Sequence, residues 1–265
     1  MKQNYSFTKT TNFDALTNLK NEWLTTLTSP QDGMWAFFRD SATHYNILLD
    51  DKIIGYAAVD ESNQLLQFYI TPTFSSDRET IFKEYINEHE VKSGIVGTNN
   101  PNYLSLALNF TKDFKINTFL FKNNHEVTLL EKKGTLKECE HKDIARLVTF
   151  YNYSMGAPTE WLTDYIGNLI EKKELFSFEN DGSIIGTCEI RKNLSASEFA
   201  DIGMVVSPDY RRNGYGTYLL NKAKNTAIER GKTPICSCEK DNIGSVKSIY
   251  NCGFISMHQL LSVNF

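Results

Sequence analysis

Residues Arg211-Arg212-Asn213-Gly214-Tyr215-Gly216-Thr217 join the apolar run Met204-Val205-Val206 to a stretch with helical apolar spacing that begins near Tyr215. A loop of this make-up between a strand and a helix suits a bound phosphate. Gly214 and Gly216 carry no Cβ, so backbone can approach an anion closely and can take positive φ. The first turn of the following helix adds unpaired N–H donors and a partial positive charge. Arg211 and Arg212 add bidentate cationic donors. Other phosphate loops fit less well. A dinucleotide-binding G-x-G-x-x-G needs a third glycine where Leu219 stands, and a Walker loop needs Gly-Lys-Ser/Thr where Gly214-Tyr215 and Gly216-Thr217 stand. Asp201, in Glu198-Phe199-Ala200-Asp201-Ile202-Gly203, places a carboxylate on the strand that feeds the loop, a setting from which Asp is usually excluded. Gly203 in mid-strand predicts a bulge or a close backbone approach.

The elements that would hold this loop occur twice. Tyr45–Leu49, the polar turn Asp50-Asp51-Lys52 and Ile53–Val59 read as a hairpin, as do Leu175–Phe178, Asn180–Ser183 and Ile184–Ile190. Each hairpin leads to a strand ending in Ser/Thr-Pro, Phe68-Tyr69-Ile70-Thr71-Pro72 or Met204-Val205-Val206-Ser207-Pro208. A helix follows, with the stripe Ile81, Phe82, Tyr85, Ile86 in one copy and Tyr215, Leu219, Leu220, Ala223, Ala227 in the other. Next come a short strand (Gly94-Ile95-Val96; Pro234-Ile235-Cys236) and an Asn opening another helix (Asn100; Asn242). Both copies close on β-rich segments, Ile116–Phe121 and Phe254–Phe265. The offset between copies drifts from 131 residues (Gly55 to Gly186) to 142 (Asn100 to Asn242), as small loop insertions would produce. The shared order argues for a tandem duplication joined at Glu131-Lys132-Lys133-Gly134. Three further apolar stripes predict helices with core-facing sides: Phe13 to Leu27, Ile144 to Tyr151, and Trp161 to Ile170.

Composition narrows the class. The 265 residues suffice for one large or two modest domains, and 41% hydrophobic with 23% charged residues is ordinary for a globular chain. A net charge of −4 argues against a nucleic-acid partner held by a general positive field. No run approaches the ~18 apolar residues of a membrane span. The polar start MKQNYSFTKTTNFD has no signal-peptide core, so the expected location is the cytoplasm. The five cysteines (139, 188, 236, 238, 252) form no C-x-x-C pair and read as buried free thiols, and the five histidines show no metal-ligand spacing. No metal is expected.

The order strand, helices, hairpin, strand, R-x-x-G-x-G, helix, strand, N-x-x-S, helix, C-G-F resembles the GNAT superfamily of acetyl-CoA-dependent N-acetyltransferases. The matching residues are Arg211, Gly214 and Gly216 in the pyrophosphate loop, Asn242 and Ser245 opening the next helix, and Gly253-Phe254 closing it. The resemblance covers about residues 135–265. It implies an α/β chain of two GNAT-like domains in tandem, each a central mixed sheet flanked by helices. Residues 133–265 would bind acetyl-CoA, and 1–132 would keep the fold without the coenzyme loop. There the equivalents of Arg211, Gly214 and Gly216 are Ser75, Arg78 and Thr80, a poor pyrophosphate cradle.

The resemblance also implies roles. Backbone at Met204, Val205 and Val206 would bind the pantetheine arm and polarise the thioester carbonyl; Arg211, Arg212, Asn213, Gly214, Tyr215, Gly216 and Thr217 would cradle the pyrophosphate. Asp201 is the expected general base, with Glu189 in reserve. Tyr250 is the expected acid, although the family's usual tyrosine position falls on Ile249, and one residue turns a side chain about 100° around a helix. Ser245 or solvent could protonate the thiolate instead. The expected reaction is direct attack by a primary amine of a small molecule on acetyl-CoA. The alternatives are acetylation of a protein N-terminus or lysine, and a non-catalytic acetyl-CoA-binding module. A monomer or homodimer is expected, with neither nucleic acid nor membrane as partner.

Overall fold

The computed structural model describes residues 4–10 and 12–265. The chain packs as two compact units, one running up to Phe119 with His258–Phe265 added, the other Leu120–Met257. In the first unit β1 (Tyr5–Lys9) precedes α1 (Asp14–Leu24), α2 (Gly33–Ser41) and a meander of β2 (Thr43–Leu49), β3 (Lys52–Val59) and β4 (Gln64–Ile70). Then come α3 (Arg78–Glu88), β5 (Ser93–Gly97), α4 (Pro101–Phe110) and the start of β6 (Asp113–Asn123). The strands lie in the order β1-β2-β3-β4-β5, antiparallel except for the β4–β5 pair.

The second unit repeats the plan. β7 (Thr135–Glu138), α5 (Ile144–Met155), α6 (Thr159–Glu171), β8 (Leu175–Asn180), β9 (Ser183–Lys192) and β10 (Phe199–Val206) lead into α7 (Tyr215–Glu229), β11 (Thr233–Glu239), α8 (Ile243–Asn251) and β12 (Phe254–Asn264). The order is β7-β8-β9-β10-β11, again antiparallel except for the last pair, β10–β11. β12 starts in this unit, while its residues from His258 onward belong to the first, where Leu260–Asn264 pair with Ser93–Gly97 of β5.

The duplication is visible in backbone detail. Both hairpins turn through two residues of positive φ, Asp50 and Asp51 (46° and 65°) or Asp181 and Gly182 (50° and 80°), the geometry that matches strand twist. Both carry one extra residue at the same place, Ile54 or Ile185, where the register shifts. The glycine that follows sits against the next strand. A Cβ on Gly186 would lie 2.7 Å from the Val205 carbonyl oxygen, and one on Gly55 would overlap that of Tyr69. Thr71 and Ser207 donate their N–H to Ile54 and Ile185, 2.9 Å each. Asn100 and Asn242 cap α4 and α8 through their side chains.

Apolar faces close each unit. Ile47, Ile54, Phe68, Ile81, Phe82, Tyr85 and Val263 lie in one buried cluster of the first. Leu147, Tyr151, Leu162, Ile166 and Leu175 lie in the cluster that seats α5 and α6 in the second. One expectation fails here: the β9–β10 register runs unbroken from Ala200 to Val206, so Gly203 makes no bulge. The bulge in this strand position belongs to the first copy, where Leu66 is the extra residue between Leu65 and Gln67.

Candidate active site

The site begins where two parallel strands part. β10 and β11 pair only from Phe199 to Asp201 against Thr233 to Ile235, after which they part, β10 running on beside β9 to Val206 and β11 beside β6 to Glu239. Ser207 donates its N–H toward β9, so by strand alternation the N–H and C=O groups of Val206 and Met204 face the other way, into the gap. The divergence needs no bulge. Met204 sends its side chain to the first turn of α7, its Cε 3.5 Å from where a Cβ on Gly216 would be. Val205 packs on the α5–α6 side.

At the end of β10 the chain turns through Pro208–Tyr210 into the glycine loop. Arg212 and Gly214 both hold positive φ, 61° and 78°. Gly214 is the N-cap of α7 and no side chain caps this helix start, so its first-turn N–H groups are open to a ligand. Arg211 braces the loop: Nε donates to the Val206 carbonyl (3.2 Å) and Nη2 to the Ser154 carbonyl in the last turn of α5 (2.7 Å). That second contact sets a cation at a helix C-terminus. On the α8 side, Ser248 Oγ lies 3.3 Å from the position of a Gly216 Cβ, so a larger residue at 216 would crowd α8. Open amides, positive φ and room at both glycines fit a pyrophosphate, as acetyl-CoA would present.

A residue that sequence reasoning missed stands beside the loop. The segment after β6 straps across α7: Lys224 Nζ donates to the His125 carbonyl (3.0 Å), Asn221 Nδ2 to that of Val127 (3.2 Å), and Tyr218 and Lys222 to Glu131 (2.6 and 2.8 Å). The strap delivers Lys132, whose Nζ donates to the Asn213 carbonyl at 2.9 Å and lies 5.3 Å from the Tyr215 ring centroid. Only the tertiary path of the strap reveals it.

On the α5–α6 face of the sheet, Glu189 of β9 is 7% exposed and lies opposite Gly203 of β10. The carboxylate lies beside that glycine, its Oε2 3.8 Å from where a Gly203 Cβ would be, an ordinary contact distance. Tyr165 donates to Oε2 at 2.7 Å and Tyr151 to Oε1 at 3.2 Å, while Arg191 Nε lies 3.4 Å from Oε2. Thr187 in turn donates to the Tyr151 hydroxyl, 2.9 Å. Burial first, and then the charge of Glu189, push both phenols above their ordinary range, so they stay protonated donors. Trp161 stacks on Tyr165 with ring centroids 4.8 Å apart and is 43% exposed, forming the outer wall.

Asp201 lies deeper, 1% exposed, and accepts from Asn193 Nδ2 at 3.0 Å. Asn193 in turn accepts from the N–H groups of Ser195 and Ala196 (3.0 and 2.9 Å), so Asp201 anchors the β9–β10 connection. Tyr250 is 48% exposed with its ring edge-on to Phe121 of β6, 5.3 Å away; β6 flanks β11 on the side away from β10. Ile249 at the preceding position is buried. Asn242 accepts from the Ser245 N–H (3.2 Å), which fixes the start of α8. All five cysteines are buried and unbridged, and burial pushes the Cys188 and Cys252 thiols up to about 12, so neither of these two is a thiolate. No described helix is long and apolar enough to cross a membrane.

Comparison with known proteins agrees with this geometry. A family model described as acetyltransferase (GNAT) domain matches residues 12–124, and one described as acetyltransferase (GNAT) family matches 141–254. No curated protein matches the chain. Among solved structures, it is similar to an acetyltransferase from the GNAT family of Colwellia psychrerythraea: 31% identity over 98% of this chain and 99% of that one, TM-score 0.94. Two more distant structures share the fold. A GCN5-related N-acetyltransferase of Sphaerobacter thermophilus is 13% identical, with 98% and 95% of the chains covered and a TM-score of 0.70. A tandem GNAT protein from the clavulanic acid biosynthesis pathway is 12% identical, with 98% of each chain covered and a TM-score of 0.65. With a model match in each half and a relative of that identity along nearly its whole length, the chain belongs to the GNAT family of acetyltransferases, as two such domains in tandem.

Proposed function

We propose that the second unit moves an acetyl group from acetyl-CoA to the primary amine of a small molecule, with Glu189 as the proton acceptor. Acetyl-CoA supplies the activated thioester. The backbone N–H groups from Arg212 to Thr217 bind its pyrophosphate, with Lys132 adding a cation, and Arg211 holds the loop in shape. The amides of Met204 and Val206 line the gap that takes the pantetheine arm and donate to the thioester carbonyl as charge develops on it.

An alkyl amine near pKa 10.4 is neutral only about once in a few thousand molecules at pH 7. A buried carboxylate beside the gap therefore serves twice, attracting the ammonium and accepting its proton. This reading moves the base from Asp201 to Glu189, because Asp201 is engaged in holding Asn193 while Glu189 faces the aromatic wall of Trp161 and Tyr165. An ammonium also gains from the face of such rings. The thiol of the leaving group, with an ordinary pKa near 8.5, needs no dedicated acid, and water protonates it. Tyr250, turned to Phe121, is left out of the chemistry.

The observation that carries the proposal is the meeting, in one unit, of an uncapped glycine-cradled helix start with an open strand edge next to a buried carboxylate. Thiol release from acetyl-CoA, measured against a panel of small amines and against lysine-bearing peptides, tests it. Turnover with at least one small amine, above that with peptides, supports the reading; turnover with peptides alone refutes the acceptor class.

A further inference from the structure

The first unit has its own parted strands. β4 and β5 pair only at Gln64↔Ser93 and Leu65↔Gly94, and a cavity of 240 Å³ opens beyond them. Its apolar lining includes Phe68, Ile70 and Leu106; its polar lining includes Ser75, Arg78 and Asn102. Thr71 gives its N–H to β3, so by alternation the amides of Ile70 and Phe68 face the parted side.

Two features separate this cavity from a coenzyme site. Counted from the Thr/Ser-Pro step, Arg78 falls at the position of Gly214, and the N-cap of α3 is Asp77 where that of α7 is Gly214, so side chains occupy the place of the open cradle. The volume also lies below the roughly 300–1,000 Å³ of pockets for drug-sized ligands. Arg78 is held loosely: among the described residues its hydrogen bond is a long one to Ser105 Oγ, 3.5 Å. Nearby, Gln67 is 1% exposed and stands two residues past the last β4–β5 pair with its Nε2 unpartnered. Its Oε1 accepts from Asn100, the cap of the helix that contributes Asn102 and Leu106 to the lining.

A lone guanidinium at one end of an apolar chamber selects a ligand with one negative group and an apolar body. A guanidinium fork matches a carboxylate in two parallel hydrogen bonds. We propose that the first unit holds a second ligand site, for a small monocarboxylate. Its carboxylate pairs with Arg78 and Ser75, and its body rests on Phe68, Ile70 and Leu106. This site is independent of acetyl transfer in the second unit.

Calorimetry on the full chain tests it with 3-phenylpropanoate as probe and 3-phenylpropanamide as its uncharged match. The site predicts one bound carboxylate per chain, the amide at least tenfold weaker, and affinity unchanged when acetyl-CoA is present in excess. Arg78→Gln should weaken the carboxylate about tenfold or more, equivalent to ~1.4 kcal/mol, and leave acetyl-CoA affinity as it was. Ser75→Tyr, which fills the cavity beside Arg78 while keeping the guanidinium, should abolish binding and serves if Arg78→Gln lowers the unfolding midpoint. Equal affinity for acid and amide, competition by acetyl-CoA, indifference to both substitutions, or no binding at millimolar probe would each overturn the proposal. A second equivalent of coenzyme A lost in Arg78→Gln would overturn it too, by showing a coenzyme site instead.

Discussion

Glu189→Gln changes the charge at the proposed acceptor site while keeping its shape. The carboxylate takes hydrogen bonds from Tyr165 (2.7 Å) and Tyr151 (3.2 Å) on its two oxygens, with Arg191 at 3.4 Å. An amide can accept with one oxygen only and turns an NH₂ donor toward the other phenol. Hydrogen bonds to a charged group are worth about 1.5–3 kcal/mol. Losing one should cost about 2 kcal/mol, which for a chain of this size lowers the unfolding midpoint by roughly 4–8 °C. The native state should persist. Removal of a general base lowers kcat by about 10²–10⁴. With the best small amine found by thiol release, we expect a fall of at least about 100-fold in kcat. Acetyl-CoA affinity should be unchanged by calorimetry, because the loop lies on other elements. Tyr165→Phe keeps the carboxylate and should lose far less activity. If Glu189→Gln folds, binds coenzyme and turns over within about threefold of the parent, Glu189 is not the proton acceptor.

The remaining predictions touch the loop, the sheet and a buried cation. Lys132→Met should weaken acetyl-CoA a few-fold at low ionic strength and less in high salt, because a partly exposed cation is screened; an unchanged dissociation constant at low salt would remove Lys132 from the site. Gly186→Ala forces a Cβ to 2.5 Å from Leu219 Cδ1 and 2.7 Å from the Val205 carbonyl, whereas Gly203→Ala meets only Glu189 at an ordinary 3.8 Å. Overpacking of the first kind costs about 1–3 kcal/mol, so urea midpoints should drop clearly for Gly186→Ala and little for Gly203→Ala. Lys224 is fully buried, and burial lowers its pKa below the ordinary lysine value. Between its folded and unfolded pKa the unfolded chain binds more protons, so this residue makes stability rise with pH across that window. Lys224→Met should flatten that rise in unfolding measurements taken on the alkaline side.

The duplication and its hairpins were legible because turn chemistry and strand period are local. Asp50-Asp51 and Asp181-Gly182 announce two-residue turns, and Asn100 and Asn242 announce caps. The loop at Arg211–Thr217 was legible for the same reason. Short elements were not. α2 has nine residues and starts where Asp32 accepts from the N–H groups of Met34 and Trp35, and the edge strands β1 and β7 have only five and four. Residues whose setting depends on chain path escaped as well. Lys132 reaches the loop because the strap follows α7, and the last residues of β12 join the first unit by pairing with β5. The pattern at Asp201 and at Glu189 is equally acidic; only the partners, Asn193 for one and two tyrosines for the other, separate an anchor from a candidate base. Gly203 misled because a mid-strand glycine in an unbroken register, with space for a Cβ, looks in sequence like one that makes a bulge.

Acetyl-CoA binding at the loop of the second unit underlies every step proposed for the reaction. Titration of acetyl-CoA into the full chain by calorimetry tests it directly, using Gly214→Val, since a Cβ at φ of 78° is strained and closes the cradle. The parent should bind one equivalent and Gly214→Val should bind at least tenfold more weakly. Binding of acetyl-CoA that is absent in the parent, or that survives Gly214→Val undiminished, would contradict a coenzyme site at this loop.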